Sequence, residues 1–115
     1  MTKKPAPNRA AEDIMQEVKV LETAPAIVVA LSGELAAENA DEFYAQIKTV
    51  YETQPADIIF ECSALEFIDS TTLGTFVKIL KHVRSDGHSL KLKGLQPRLK
   101  KLFVICALDT IMEIE

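Results

Sequence analysis

The sequence contains no tryptophan, only four glycines and two cysteines, and no apolar run long enough to span a bilayer. Cys62 and Cys106 are not part of a CxxC pair, and together with two histidines they form no zinc-ligand pattern. Both lie in apolar sequence, so we expect two reduced, buried thiols and no metal. The N-terminus has no apolar core of a secretory signal, and we expect a cytoplasmic protein without membrane insertion.

Sequence motifs for catalysis and for nucleotide binding are also missing. No serine lies in a GxSxG elbow, and neither a Walker loop nor a GxGxxG loop occurs. The net charge of −4 and the aromatic fraction of 6% disfavour nucleic acid as a partner. We therefore expect a protein that is not an enzyme, needs no cofactor and binds no nucleic acid.

The 115 residues have a hydrophobic fraction of 48%, which fits one globular domain. Residues 1–13 are polar and proline-containing, which predicts a loose leader, and the domain is expected over residues 14–115. Two apolar, strand-like segments on either side of Pro25 predict an N-terminal β-hairpin.

After this hairpin, helical and strand-like hydrophobic periods alternate along the chain. Helices are predicted over residues 36–52, from about residue 70 to 86, and over 96–108; strands are predicted over 57–62 and 89–94. Residues 109–115 fit either a last strand or a short helix. The order predicts an α/β fold: a mostly parallel, four- to five-stranded mixed sheet packed with three to four helices.

The segment EFIDSTTLGTF, residues 66–76, joins a predicted strand to a predicted helix and carries four polar residues in a row: Asp69, Ser70, Thr71 and Thr72. Asp69 or Ser70 can cap the helix by accepting from free N–H groups of its first turn. A hydroxyl at a helix N-terminus is also a favourable place for a phosphate. The residues alone leave both roles open.

A basic segment follows between Gly87 and Leu108, where there are no acidic residues. Its five charges belong to Lys91, Lys93, Arg98, Lys100 and Lys101. They could form a docking face for an acidic partner or an anionic membrane. Alternatively, they are the solvated faces of one strand and one helix.

Four segments match a known pattern in order and spacing: LSGEL (31–35), IIFECSALEFIDSTTLG (58–74), SLKLKGLQPRLKKLF (89–103) and ALDTIMEI (107–114). Together they resemble the STAS domain of bacterial anti-sigma-factor antagonists. The resemblance implies a switch protein that binds a GHKL-type kinase serving as an anti-sigma factor. That kinase phosphorylates a hydroxyl at the start of the second helix, which breaks the complex, and a PP2C-type phosphatase restores the free hydroxyl.

The family's acceptor lies two residues after the Asp, which selects Thr71 here, with Ser70 as the alternative. The implied partner-binding surface comprises Glu34, Ala36, Asp69, Ser70, Thr72 and Gly74. Thr71 replaces the commoner Ser, Ala36 stands where an Asp is frequent, and Thr72 stands where Gly is usual. We expect the Thr72 side chain to narrow a partner's approach.

These departures keep two other functions open within the same family. One is a STAS subunit that binds a transporter or lipid-transport complex without being phosphorylated. The other is a stressosome-type scaffold, in which switches often use Thr.

Overall fold

The computed structural model describes residues 16–115, in which strands and helices alternate after an initial hairpin. The strands are β1 (Gln16–Glu22), β2 (Ile27–Leu35), β3 (Ile58–Ile68), β4 (Leu90–Lys93) and β5 (Glu113–Ile114). The helices are α1 (Ala37–Thr53), α2 (Ser70–Arg84), α3 (Pro97–Ile105) and a short 3₁₀ helix (Leu108–Thr110). The predicted leader lies outside the described residues.

The described strands form one sheet in the order β1-β2-β3-β4-β5. β1 pairs with β2 antiparallel, and each later pair is parallel. The predicted hairpin and the mostly parallel mixed sheet are therefore confirmed. The last segment, which fitted either a strand or a helix, contains the 3₁₀ helix followed by the two-residue strand β5.

Successive parallel strands are neighbours, and a helix connects β2 to β3, β3 to β4 and β4 to β5. Because such crossovers are right-handed, all three helices pack on the same face of the sheet. The core lies between the two layers and contains four phenylalanine rings, of which that of Phe76 packs against the other three: Phe43, Phe60 and Phe103. Neighbouring ring centroids in this cluster are 5.4 to 5.7 Å apart. None of the helices within residues 16–115 is long and apolar enough to cross a membrane.

The expectation of two buried cysteines is correct for Cys62 and wrong for Cys106. Cys62 is fully buried on β3, whereas Cys106 is exposed just after α3. Ile105, the apolar neighbour on which that expectation depended, is itself 69% exposed. Apolar sequence neighbours at the end of a helix therefore did not indicate a core position.

The basic segment does not form one continuous face. Leu90 and Leu92 point toward the core, so the alternating Lys91 and Lys93 lie on the sheet face away from the helices. The other three basic residues belong to α3. Lys91 Nζ also lies 3.1 and 3.5 Å from carboxylate oxygens of Glu115 and Glu113, so its charge is paired. These positions favour two separate solvated faces.

Candidate functional site

The strand-to-helix junction singled out in the sequence begins where β3 ends at Ile68. Asp69 has an extended backbone, with φ −118° and ψ −177°, and is the N-cap of α2. Its Oδ1 accepts a hydrogen bond from the backbone N–H of Thr72 at 2.9 Å. Asp69, rather than Ser70, therefore caps the helix.

The same carboxylate also reaches a second helix. Asp69 Oδ2 accepts a hydrogen bond of 2.9 Å from the backbone N–H of Ala37, the first residue of α1. Burial acts to raise the pKa of Asp69, but the hydrogen bonds from Thr72 and Ala37 outweigh it and lower the pKa below its ordinary value. One ionised carboxylate thus lies between the N-termini of two helices, where negative charge is favourable.

Thr72 lies inside the protein. Its side chain is 0% exposed, and its Oγ1 lies 2.8 Å from the carbonyl oxygen of Leu35 and 2.9 Å from Asp69 Oδ1. A hydroxyl has one proton, so it donates to one of these acceptors at a time. The expectation that Thr72 belongs to a partner-binding surface and narrows a partner's approach is wrong, because its side chain connects the end of β2 to the cap of α2.

Ser70 and Thr71 are exposed on the first turn of α2. Within residues 16–115 neither hydroxyl has a hydrogen-bond partner. One turn further, Gly74 is exposed, and a Cβ added to it would meet no atom within 4 Å. The start of α2 therefore presents two free hydroxyls beside an open stretch of helix surface.

Glu34 near the end of β2 and Ala36 just after that strand lie opposite this turn. Glu34 is exposed, and Ala36 is the half-buried N-cap of α1. Ala36 has no side-chain acceptor for the first N–H groups of α1. The buried Asn39 makes the reciprocal bond of a helix cap: its Oδ1 accepts from the Ala36 N–H at 2.8 Å. Asn39 Nδ2 also donates to the Glu34 carbonyl at 3.0 Å.

Sequence reasoning missed Asn39, although a polar side chain three residues after a helix cap is the signal of a capping box. It also missed Phe67, which is 43% exposed two residues before the cap. The structure thus brings the predicted site residues together at one end of the molecule, with Thr72 beneath the surface. In the described part of the chain, no group of three or more His, Cys, Asp or Glu could hold a metal ion.

The chain is similar in sequence and in fold to proteins that are already known. The sequence profile of the STAS domain family matches residues 17–115. The anti-sigma-B factor antagonist of Bacillus subtilis is 36% identical over 88 residues, which cover 76% of this chain and 80% of that protein. A structure from Thermotoga maritima, described as a candidate anti-sigma factor antagonist, has a TM-score of 0.70 at 29% identity and covers 87% of this chain and 85% of that one. The phosphorylated form of the Bacillus cell fate determinant SpoIIAA shares the fold, with a TM-score of 0.68, 21% identity and coverage of 86% and 91%.

Proposed function

This chain belongs to the STAS domain family and, within it, to the anti-sigma-factor antagonists; we propose that it is a partner-switching regulator controlled by phosphorylation of Thr71. Unphosphorylated, it binds a GHKL-type kinase that serves as an anti-sigma factor, and phosphorylation by this kinase breaks the complex. Ser70 is the alternative acceptor. The observation that carries the proposal is the exposed, unbonded Thr71 hydroxyl in the first turn of α2.

The different hydrogen bonding of the four polar residues, Asp69 to Thr72, supports this function. Asp69 and Thr72 make the hydrogen bonds that hold the turn together, whereas Ser70 and Thr71 make none with their hydroxyls. A phosphate on Thr71 would therefore leave those bonds in place. It would meet the positive end of the α2 dipole, which is favourable, and the nearby Asp69 carboxylate, which is unfavourable.

Phosphorylation would add a charge of about −1.5 to −2 at pH 7 to this surface. A partner that packs against the turn would then have to remove water from a dianion, which is costly without new cationic contacts. The modification thus acts on binding and leaves the fold intact. We place this cycle in the cytoplasm, with a PP2C-type phosphatase resetting the acceptor and no catalytic role for the chain itself.

The acceptor can be located directly. The chain is incubated with the anti-sigma-factor kinase from the same genome and ATP, and the phosphate is mapped by mass spectrometry. We expect one phosphate on Thr71, lost in Thr71→Ala and retained in the matched variant Ser70→Ala. The reverse pattern would select Ser70. No phosphate on either residue would favour a STAS subunit that binds its partner without phosphorylation.

The switching step is tested by kinase affinity. Thr71→Asp should weaken binding because it introduces part of the phosphate's charge, whereas Thr71→Ala should bind as tightly as the unmodified chain. Isothermal titration calorimetry measures both. Equal affinities for the two variants would contradict control of binding by charge at this position.

A further inference from the structure

The last part of β3 exposes an aromatic side chain beside the proposed switch. From Ile58 to Cys62 buried and partly exposed residues alternate, as expected for a strand. After Cys62 the pattern changes, and two exposed residues separate each buried one, so that Leu65 and Ile68 are buried. Phe67 falls on an exposed position and is 43% exposed, although aromatic residues usually pack inward in strands.

The register between β2 and β3 explains this change. Gly33 of β2 is level with Leu65 of β3, but the next residue, Glu34, is level with Phe67. Glu66 is therefore an extra residue on β3, the arrangement of a β-bulge, and a similar slip occurs once earlier in the same pair. Bulges re-aim side chains, and this one directs Phe67 away from the core.

Side chains from the start of α3 hold the bulge in place. β4 pairs with β3 only as far as Glu61, so the later β3 carbonyls on that side lie beyond the paired strand. Gln96 Nε2 donates to the Leu65 carbonyl at 3.1 Å, and an Arg98 guanidinium N–H donates to the Glu66 carbonyl. Phe67 therefore projects from a braced backbone, and little conformational entropy is lost when a partner contacts it.

The surroundings of Phe67 are acidic. Its neighbour across the strand pair is Glu34 on β2 and its neighbour along β3 is Glu66; both carboxylates are exposed. The cationic group shown next to this stretch is the Arg98 guanidinium, which is held on the Glu66 carbonyl. An apolar ring flanked by the carboxylates of Glu34 and Glu66 complements an apolar pocket that is rimmed by basic side chains.

We infer that Phe67 is the apolar anchor of the partner interface and inserts into a basic-rimmed apolar pocket on the kinase; this rests on the proposed function. Phe67 precedes the Asp69 cap by two residues and Thr71 by four. In the interface we infer, the partner that buries the ring also covers the start of α2 and removes water from the Thr71 hydroxyl. This coupling provides the physical reason why a phosphate there would end binding, because the dianion would have to lose its water as well.

The test measures kinase affinity by isothermal titration calorimetry for four chains: the unmodified protein, Phe67→Ala, Phe67→Leu and Val104→Ala. Loss of a buried aromatic anchor should weaken binding by about tenfold or more in Phe67→Ala. Phe67→Leu keeps an apolar side chain and should stay within about threefold. Val104, 47% exposed on α3, is the matched control and should bind like the unmodified chain. Circular dichroism checks that each variant is folded.

Each result has a distinct meaning. If the unmodified chain binds and Phe67→Ala binds equally well, the anchor is disproved and the proposed function stands. If Val104→Ala loses affinity and Phe67→Ala does not, the apolar end of α3 is the interface and the anchor is again disproved. If the unmodified, unphosphorylated chain does not bind the kinase, the proposed function fails and the anchor fails with it.

Discussion

Asp69 shows how much of the site depends on one residue. Its two carboxylate oxygens accept hydrogen bonds from the first turns of two different helices, through the N–H groups of Ala37 and Thr72. These donors have no partner within their own helices, because the first N–H groups of an α-helix never do. Asp69, the N-cap of α2, therefore also fixes the position of α1, and with it the surface around Thr71.

Replacing Asp69 with Asn should destabilise the fold at neutral pH. Asn keeps one oxygen for the Thr72 N–H but turns an amide N–H₂ toward the Ala37 N–H, which then lacks an acceptor. We expect a loss of about 1 kcal/mol in unfolding free energy at pH 7, measured by urea denaturation. Asp41→Asn is the matched control, because Asp41 is an exposed carboxylate on α1 without a hydrogen bond in the described chain.

The effect of Asp69→Asn should depend on pH in a defined direction. The pKa of Asp69 in the folded protein lies below its ordinary value of 3.8, so the unfolded chain takes up the proton first. Its charge-dependent stabilisation is complete above that ordinary value and is lost as the pH falls through the folded pKa. The difference between the variant and the unmodified chain should thus shrink as the pH falls below 3.8. A difference that stays constant down to low pH would contradict a role for the charge.

The buried hydroxyl of Thr72 should also contribute to the stability of the fold. Thr72→Gly introduces the residue that is usual at this position in the family. The substitution removes a buried hydroxyl and adds backbone freedom to a helix. We expect a loss of about 2 kcal/mol in unfolding free energy, because both effects act together. Thr72→Ser, which keeps the hydroxyl, should retain most of the stability in the same thermal or urea measurement. Unchanged stability in Thr72→Gly would show that the hydrogen bonds of Thr72 contribute little.

At the scale of elements, the route of the chain between β4 and α3 depends on a glycine. Gly94 has φ +77°, in the left-handed region that other residues avoid. A Cβ there would lie 2.6 Å from Ser63 Oγ and 3.0 Å from Glu61 Oε2, on the neighbouring strand β3. This close approach leads the chain directly into α3, whose first residues brace the bulge of β3.

Gly94→Ala should therefore lower the thermal midpoint. Steric conflict with Ser63 and the unfavourable backbone angle together should cost about 2 kcal/mol or more. Gly74→Ala is the matched control, because Gly74 is helical and a Cβ there meets nothing within 4 Å. It should gain about 0.5–1 kcal/mol from better helix propensity. If both substitutions had the same effect on unfolding, the close packing at Gly94 would be disproved.

At the scale of the whole molecule, the helices cover one face of the sheet and enclose a single core. The four packed phenylalanines connect α1, β3, α2 and α3 across that core, so each element contributes to the same cooperative unit. Cys62 lies in this core cluster and is 0% exposed. Burial, assisted by the neighbouring Glu61 charge, raises the pKa of its thiol to about 12. Its reactivity should therefore report opening of the entire fold.

Thiol labelling with Ellman's reagent under native conditions tests this. Cys106 is exposed and should react quickly, whereas Cys62 should react only through unfolding, because it is buried and its thiolate is scarce at neutral pH. Cys106→Ser should abolish the fast phase and leave the slow one. Denaturant should accelerate only the slow phase. Two thiols that react at similar rates in the folded protein would contradict the enclosed core.

The sequence by itself determined the order of the elements as far as α3, the mostly parallel class of the sheet and the position of the candidate turn. Hydrophobic periods of 2 and 3.6 residues are local properties, and so is the preference of Asp for a helix cap. Residues 66–76 could therefore be identified as a strand leading into a capped helix. The resemblance to the STAS family then selected Thr71, with Ser70 as the alternative, as the candidate acceptor.

Only the tertiary structure decided which of these polar groups face inward and what they contact. The bond from Ala37 to Asp69 spans 32 positions and the bond from Thr72 to Leu35 spans 37, so no local pattern could predict them. The exposure of Phe67 likewise depends on a register slip between two strands. Such features arise from the packing of distant segments, because burial and hydrogen bonding depend on what lies alongside a residue and not on its sequence neighbours.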